Sequence, residues 1–279
     1  MKHLLLDANN LLFRARHSCY QRKYENVIVH VFFRSLKPII EKFSPDYVYF
    51  VMDGYPKKRM EMQSDYKGTR VYHDKDGFRA QKKRAEAMIR ECVPFVMARH
   101  PEAEADDVIA DLALGLLPDQ DEKIIVSSDT DFIQLCQDAQ NTTLYNPITK
   151  QFRAIPDYPY AKWKALRGDS ADNIAGLRGI GNKRATALIL DEKKLQDFFD
   201  NDPEGARQKK YLQNLEMIAL TTMDETDRNA IEYSYPELPL ETLRETFTTL
   251  KFKSMINDKS WEKYSHPFLE LKDGRKYFT

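Results

Sequence analysis

Short apolar runs separated by longer amphipathic stretches recur along the first half of the chain. Residues 2–6, 46–52, 93–98 and 123–128 are rich in Leu, Ile, Val, Tyr and Phe, as is typical of buried strands. Between them, residues 27–43 and 78–92 carry apolar side chains at helical spacing. Strands that alternate with helices in this way predict an α/β fold with a mostly parallel central sheet flanked by helices.

Length and composition favour a folded protein without a membrane segment. The chain has 279 residues, of which 42% are hydrophobic, enough to supply a buried core. Its apolar runs are interrupted well short of the ~20 residues that a membrane helix needs, and the first run is interpreted as a strand, not a signal peptide. The three cysteines show neither a disulfide framework nor metal-ligand spacing. We therefore expect a cytoplasmic protein with no membrane partner.

The net charge is zero, but the charges are unevenly distributed along the chain. Residues 57–99 hold 12 Lys or Arg against 6 Asp or Glu, a net charge of +6. Residues 101–140 hold 11 acids against one lysine, a net charge of −10. Either segment alone could be a solvated charged face. Side by side, they indicate a place where metal ions meet a phosphodiester.

Carboxylates follow four of the predicted strands. They are Asp7, Asp53, the group Glu104, Asp106 and Asp107, and the pair Asp129 and Asp131. One such acid is usually a helix cap, and a helix start stabilises a carboxylate by roughly 0.3–1 kcal/mol. Four consecutive strand ends that bring acids to one edge of a sheet would repel one another unless cations neutralise them. Because all the candidate ligands are hard oxygens, we expect magnesium.

The segment "GLRGIGNKRA" places a glycine-rich turn ahead of a predicted helix that starts near Lys183. Such a helix start can present backbone N–H groups to phosphate, in the manner of a helix-hairpin-helix motif. The glycines alone could form an ordinary turn between helices. Asp169 and Asp172 just before the turn, and Arg184 just after it, bring acids and bases together and favour a functional segment.

Five spaced blocks together resemble the 5′-nuclease family of flap endonucleases and 5′-to-3′ exonucleases, most closely its stand-alone bacteriophage enzymes. The blocks are "LLLDANNLLFR", "VMDG" with "YKGTR", "EAEADDVIADL", "SSDTDF" and "RGDSADNIAGLRGIGNKRA". The resemblance implies a PIN-like α/β nuclease core over residues 1–150, with a helical arch at about 54–84. It further implies a C-terminal helical region over 151–279, with a helix-hairpin-helix motif at about 166–190.

The resemblance also implies a two-metal site. The acids matching the first metal position are Asp7, Asp53, Glu104, Asp106 and Asp107. Those matching the second are Asp129, Asp131, Asp169 and Asp172, with Asp129 between the groups. The implied ions are two Mg²⁺, for which Mn²⁺ could substitute, and a K⁺ is implied at the hairpin.

Basic and aromatic residues complete the implied site. Lys67 and Arg70 match residues near the scissile phosphate, and Tyr66 matches an aromatic beside them. In the arch, Lys83 and Arg84 end a basic stretch interleaved with aromatics, a composition suited to single-strand phosphates and base stacking, although core packing accounts for at least some of the rings. In the hairpin, the residues expected to grip the duplex backbone are Gly179, Gly181, Lys183 and Arg184.

Three positions depart from the family pattern. Ala175 stands where a proline is often seen, and the extra Glu102 leaves the register of the acid cluster open by two positions. Asp111 matches no family acid, and we expect it at an exposed helix position.

The sequence therefore predicts a divalent-metal-dependent structure-specific 5′ nuclease that acts in DNA replication or repair. Its expected partners are DNA with a 5′ flap, nick or 5′ end, or an RNA–DNA hybrid, bound by a monomer. One alternative is a non-catalytic structure-specific DNA-binding protein, although repulsion between clustered acids and phosphates argues against it. Another is an aspartyl-phosphate phosphatase with Asp7 as nucleophile, but "DANN" has no second acid two positions later. Residues 190–279 carry little functional information.

Overall fold

The computed structural model describes residues 1–19, 24–69 and 77–278. Arg70, expected near the scissile phosphate, lies outside the described residues. None of the helices among the described residues has the length and apolar character that a membrane span requires.

A seven-stranded sheet forms the centre of the molecule. The nine strands of the described residues, two of which form a separate small sheet, are β1 Lys2–Asp7, β2 Tyr47–Met52, β3 Val96–Arg99, β4 Glu122–Val126, β5 Thr142–Asn146, β6 Gln151–Phe152, β7 Gly168–Asp169, β8 Ile174–Ala175 and β9 Glu232–Ser234. The order in the large sheet is β6-β5-β4-β1-β2-β3-β9, and β7 pairs with β8 separately. Strands β5, β4, β1, β2 and β3 run parallel, and β6 and β9 add antiparallel edges. The predicted mostly parallel sheet is confirmed.

Fourteen α-helices among the described residues surround this sheet. They are α1 Ala8–Ser18, α2 Val27–Phe43, α3 Lys57–Met62, α4 Phe78–Cys92, α5 Ala105–Asp111, α6 Ile133–Asp138, α7 Tyr160–Arg167, α8 Asn182–Ile189, α9 Glu192–Asp200, α10 Ala206–Ile218, α11 Glu225–Asn229, α12 Leu240–Thr249, α13 Lys253–Ile256 and α14 Asp258–Leu269. A π-helical turn, Leu112–Leu116, extends α5.

The sheet is buried on both faces, which explains why its strands are continuous apolar runs. Along β1, Leu4 and Leu6 pack into one hydrophobic cluster, with α1, α2, α4, α12 and α14, while Leu5 packs into the other, with α5, α7 and α10. This alternation follows from the two-residue period of a strand. All three leucines are fully buried.

The predicted helices at 27–43 and 78–92 coincide with α2 and α4, and α8 starts one residue before Lys183. The third strand starts later than predicted, after Pro94, because a proline has no N–H to donate to the sheet. The fourth strand ends at Val126, where the Ser127 hydroxyl accepts a hydrogen bond from the Asp129 amide and turns the chain.

The chain beyond residue 150 is mostly helical, but it does not stand apart from the core. β9 extends the sheet beside β3, and α14 packs on α2. Buried residues of α12 and α14, among them Phe247 and Trp261, belong to the same cluster as β1. The division at residue 150 stays a prediction, since both halves share their hydrophobic layers.

Asp111 is fully buried, so the prediction of an exposed helix position is wrong. Its carboxylate accepts hydrogen bonds from Arg228 Nε at 2.9 Å and Nη2 at 2.7 Å, and from the Met223 amide at 2.8 Å. A distant segment thus supplies the partners that make burial of this charge tolerable. The pair fastens α11 to α5.

Removing Arg228 should destabilise the protein, because it leaves a buried carboxylate with only a backbone donor. We expect Arg228→Ala to lower the free energy of unfolding by ~2 kcal/mol or more, measured by urea denaturation. Lys194→Ala, which breaks the exposed Lys194–Asp191 pair, is the control and should change little. Equal effects of the two variants would contradict this account of Asp111.

Candidate active site

The carboxyl ends of neighbouring parallel strands bring the predicted acids to one edge of the sheet. β1 lies between β4 and β2, so Asp7 at its end is flanked by Asp53 after β2 and Asp129 after β4. Asp7 caps α1 by accepting from the Asn10 amide at 3.0 Å, and it also accepts from Ser127 Oγ at 2.8 Å. The capping role considered from sequence is therefore present together with the clustering.

The acids at the start of α5 are connected to this group by Asp53, which follows β2. Glu104 is the N-cap of α5, and Asp107 completes a capping box by accepting from the Glu104 amide at 3.1 Å. Asp53 Oδ1 accepts from the Ala105 amide at 2.8 Å. The helix start places Glu104 among these acids, whereas Glu102 forms an exposed ion pair with Lys57 at 2.8 Å. The assignment of Glu104 as a metal ligand stays a prediction.

A second group of acids lies beside the first. One carboxylate oxygen from each of Asp131, Asp169 and Asp172 lies within 4.8 Å of the others. Asp169 and Asp172 come from the short β7–β8 segment after α7, so a part of the chain distant in sequence completes this group. Lys164 forms ion pairs with Asp131 and with Asp169, the latter at 2.6 Å.

Burial and mutual repulsion raise the pKa values of several of these acids. Burial, followed by the charges of Asp53 and Asp129, raises the pKa of Asp7 to about 7. Burial and the charges of Asp129, Asp7, Asp53 and Glu104 raise the pKa of Asp106 well above 3.8. Burial also raises the pKa of Asp131 to about 6, with Asp129 contributing. The charge of Asp129 therefore acts on both groups of acids.

These residues fit divalent ions. Ligand oxygens on opposite sides of an octahedral Mg²⁺ lie ~4.2 Å apart, which is compatible with the spacing of the Asp131, Asp169 and Asp172 oxygens. The donors are carboxylates, and a bound cation would relieve the burial and the neighbouring negative charges that raise the pKa values of Asp7 and Asp106.

Lys67 and Tyr66 project from the turn after α3 into this edge. Lys67 forms an ion pair with Glu104 and lies 4.0 Å from Asp172. It has a positive φ of 54°, a conformation uncommon for a non-glycine residue. The Tyr66 hydroxyl donates to Glu104 at 2.9 Å and lies 3.2 Å from Asp172, and its ring is buried. Tyr66 therefore links the two acid groups, and its predicted contact with DNA stays a prediction.

Three cations at this site were not identified from the sequence. Arg59 contacts Glu104 and Asp107, and Lys82 of α4 donates to Asn9, which in turn donates to Asp53. Arg59 and Lys82 stand among consecutive basic residues with no distinguishing signal. Lys164 could have been found, because it occupies the apolar face of α7 with Tyr160 and Trp163.

The predicted arch is described at its two ends only, α3 and the turn up to residue 69, and α4 from residue 78. Lys83 and Arg84 are exposed on α4, and Arg84 donates to Asn26 at the start of α2. Phe78 is buried in the core, as expected for some of the aromatics, while Tyr55 is exposed. The arch and its DNA contacts stay predictions.

The glycine-rich turn lies on the surface just before α8. Gly179 has a φ of +75°, which glycine adopts without strain, and Gly181 is the N-cap of α8 with open space where a Cβ would stand. Lys183 is exposed, and Arg184 Nη1 lies 3.5 Å from the Gly179 carbonyl oxygen. The first N–H groups of α8 lack partners within the helix, and the contact of this turn with phosphate stays a prediction.

Asp106→Asn should stabilise the metal-free protein at high pH. Because the pKa of Asp106 is raised in the folded state, the folded protein binds the Asp106 proton more tightly than the unfolded chain does. The stability that this proton contributes is present at low pH and is lost as the pH rises above about 4. In EDTA at pH 8 we expect Asp106→Asn to raise Tm by ~3 °C, with a smaller difference at pH 4. Glu262→Gln, on the exposed face of α14, is the control. A lower Tm for Asp106→Asn at pH 8 would contradict the proposed repulsion.

Several known proteins share sequence or fold with this chain. The family described as 5′-3′ exonuclease, N-terminal resolvase-like domain, matches residues 2–164. The 5′-3′ exonuclease of Mycoplasmopsis pulmonis is 27% identical over 211 residues, covering 72% of this chain and 70% of that protein. DNA polymerase I of Streptococcus pneumoniae is 31% identical over 239 residues, covering 77% of this chain but 26% of the polymerase. The chain thus spans about a quarter of the length of this polymerase.

Solved structures share the fold at low sequence identity. The phage T5 5′-exonuclease with bound zinc has a TM-score of 0.64 and 19% identity, covering 97% of this chain and 99% of that chain. The catalytic core of Rad2 in complex with DNA has a TM-score of 0.55 and 18% identity, covering 96% and 92%. Because the family match extends over more than half of the chain, this protein belongs to the 5′-3′ exonuclease family through its N-terminal resolvase-like domain.

Proposed function

We propose that the protein is a divalent-metal-dependent, structure-specific 5′ nuclease. It hydrolyses phosphodiesters near the 5′ ends of flap, nicked or primer-bearing duplexes, in DNA replication or repair. The observation that carries this proposal is the convergence of two acid groups, joined by Asp129, at the carboxyl edge of the sheet beside Lys67. Such a concentration of repelling charge serves metal-assisted hydrolysis, whereas a DNA-binding protein without catalysis would gain nothing from it.

The carboxylates would hold two Mg²⁺ ions, with Mn²⁺ as a substitute. Asp7, Asp53, Glu104 and Asp106 would hold one ion, Asp131, Asp169 and Asp172 would hold the other, and Asp129 would serve both. Both oxygens of Asp107, the remaining predicted ligand of the first ion, accept hydrogen bonds from Arg59. When bound, such ions activate water and stabilise charge on the attacking and leaving oxygens. Lys67, now paired with Glu104, would move to the phosphate and stabilise its developing negative charge, with Arg70 as a second donor.

DNA is the proposed partner on chemical grounds and by analogy. The phage T5 flap endonuclease, which shares the fold with a TM-score of 0.63 and 18% identity over 97% of this chain, was crystallised with DNA and metal ions. The exposed turn at Gly179 and Gly181, with Lys183 and Arg184, would grip the duplex backbone, and a K⁺ would neutralise phosphate there. The protein would act as a cytoplasmic monomer on DNA or RNA–DNA hybrids.

Asp129→Asn should abolish cleavage and leave DNA binding intact or stronger. The substitution removes a carboxylate that serves both metal positions, and it also removes a negative charge near phosphate. A 5′-labelled flap duplex incubated with the protein in magnesium, and in EDTA, measures cleavage, and gel shift in calcium measures binding. Glu262→Gln is the matched control on a distant exposed surface and should cleave normally.

The same assay decides among the alternatives. Wild-type protein that binds the flap in calcium but never cleaves it in magnesium would be a non-catalytic DNA-binding protein. A covalent phosphate on Asp7, detected by mass spectrometry, would instead support a phosphatase. Near-normal turnover by Asp129→Asn would rule out its assigned role.

Lys183→Ala should weaken DNA binding without altering the chemistry. Lys183 is exposed at the start of α8, in a region that contributes only Asp169 and Asp172 to the acid groups. If it contacts one phosphate, the variant should bind all sequences more weakly and reduce the slope of log K against log[salt] by ~1. Saturated single-turnover rates should change little. An unchanged slope, or a loss of turnover as severe as that of Asp129→Asn, would exclude this role.

A further inference from the structure

The guanidinium of Arg59 lies among three separate elements. From the short helix α3, its Nε donates to the Met217 carbonyl oxygen at 2.9 Å, at the end of α10. Its Nη1 donates to Glu104 Oε2 at 3.0 Å and to Asp107 Oδ2 at 2.6 Å, and its Nη2 donates to Asp107 Oδ1 at 2.7 Å. The side chain is 12% exposed. A single group thus joins the base of the predicted arch to α5 and α10.

Asp107 is fully engaged by this arrangement. Both of its oxygens accept from the Arg59 fork, the bidentate geometry in which arginine binds carboxylates most specifically. Oδ2 accepts in addition from the Glu104 amide, as the second half of the capping box. Asp106, the adjacent residue, makes no ion pair in the described part of the chain, and the charges that act on it are those of Asp129, Asp7, Asp53, Glu104 and Lys67. The two neighbouring aspartates therefore have different surroundings.

Glu104 is held from three directions. Its Oε2 accepts from Arg59 and from the Tyr66 hydroxyl, and its Oε1 accepts from Lys67. Because Arg59 bonds Asp107 and Glu104 with the same Nη1, the position of one carboxylate depends on the other. Loss of a group that orients a metal ligand through a second hydrogen bond typically costs about 10–100-fold in metal affinity or activity.

We propose that Arg59 and Asp107 form a positioning pair that orients Glu104 and the start of α5 for metal binding, and that Asp107 is not itself a metal ligand. The proposal deepens the proposed function and rests on it for the reaction concerned. It differs from the family-based assignment of Asp107 to the first metal site. It also gives α3, at the base of the arch, a direct connection to the metal centre.

The direction in which Arg59→Ala changes the metal affinity shows whether Arg59 positions the carboxylates or competes with the metal ion for them. If Arg59 merely occupied oxygens that a metal ion would otherwise bind, Arg59→Ala would free two carboxylates and tighten metal binding. If Arg59 positions them, the same substitution weakens metal binding, because Glu104 and Asp107 then repel each other and lose their orientation. Arg59→Lys keeps the charge but loses the fork, so it should give an intermediate weakening.

The experiment measures Mn²⁺ affinity of the full chain without DNA, by electron paramagnetic resonance of free Mn²⁺. We expect Arg59→Ala and Asp107→Asn each to lower the Mn²⁺ affinity by ~10-fold, with the number of bound ions unchanged. Because the two residues act as a pair, the double variant should lose no more affinity than the more affected of the two single variants. Asp106→Asn, which removes a ligand, should act additively with Arg59→Ala. Lys58→Ala, an exposed neighbour on α3, is the control and should leave the affinity unchanged.

Tighter Mn²⁺ binding by Arg59→Ala would overturn the proposal, as would a loss of one bound Mn²⁺ in Asp107→Asn. Should Arg59→Ala fail to fold, as judged by its thermal transition, Arg59→Lys and Asp107→Asn carry the same comparison. Flap cleavage in magnesium is measured separately, with an expected fall in kcat at unchanged KM. Wild-type protein that binds Mn²⁺ as expected but cleaves no flap would contradict the proposed function and leave the positioning pair intact.

Discussion

The carboxylates at the ends of β1, β2 and β4 lie beside the start of α5, and burial together with their charges raises the pKa values of Asp7 and Asp106. This repulsion is a direct result of the parallel sheet, which brings successive strand ends to one edge. Side chains elsewhere in the protein reduce it. Lys164 pairs with one acid group, and Lys67 and Arg59 pair with the other. The buried cations of the site are therefore best understood as partners of the acid cluster, and bound metal ions would complete the neutralisation.

The same cations connect the site to distant parts of the chain. Lys164 belongs to α7, which packs on α8 and α10, so the helices near the glycine-rich turn are coupled to the second acid group. The turn bearing Lys67 is joined to the β7–β8 segment by backbone and side-chain hydrogen bonds, including Gln63 to the Asn173 carbonyl oxygen at 2.7 Å. Binding of a duplex at the turn and chemistry at the sheet edge would thus act on one connected structure, although their residues are separate.

The hydrophobic clusters stabilise the fold, whereas the acid edge lowers its stability. The sheet and its flanking helices form two hydrophobic clusters, with β1 contributing alternately to each. The acid edge stands on this rigid base, which holds repelling groups at fixed distances at a cost in stability. Asp111 shows the contrast within a single helix: it is buried too, but Arg228 and a backbone amide satisfy it, so it holds α11 in place without contributing to the cluster.

The sequence by itself determined the α/β class, the position of the central strands and the gathering of acids at their ends, because strand and helix periodicities are local and parallel strands end at a common edge. The family resemblance further implied that Asp129 stands between two groups of acids. Only the tertiary structure decided which cations meet the acids. Arg59 and Lys82 are ordinary basic residues in the sequence, Lys164 is distinguished only by its place on the apolar face of α7, and Asp111 looked exposed, because their partners lie up to 117 residues away. Pairing between charges that are distant in sequence depends on how the helices and strands pack together, and local sequence patterns do not predict this packing.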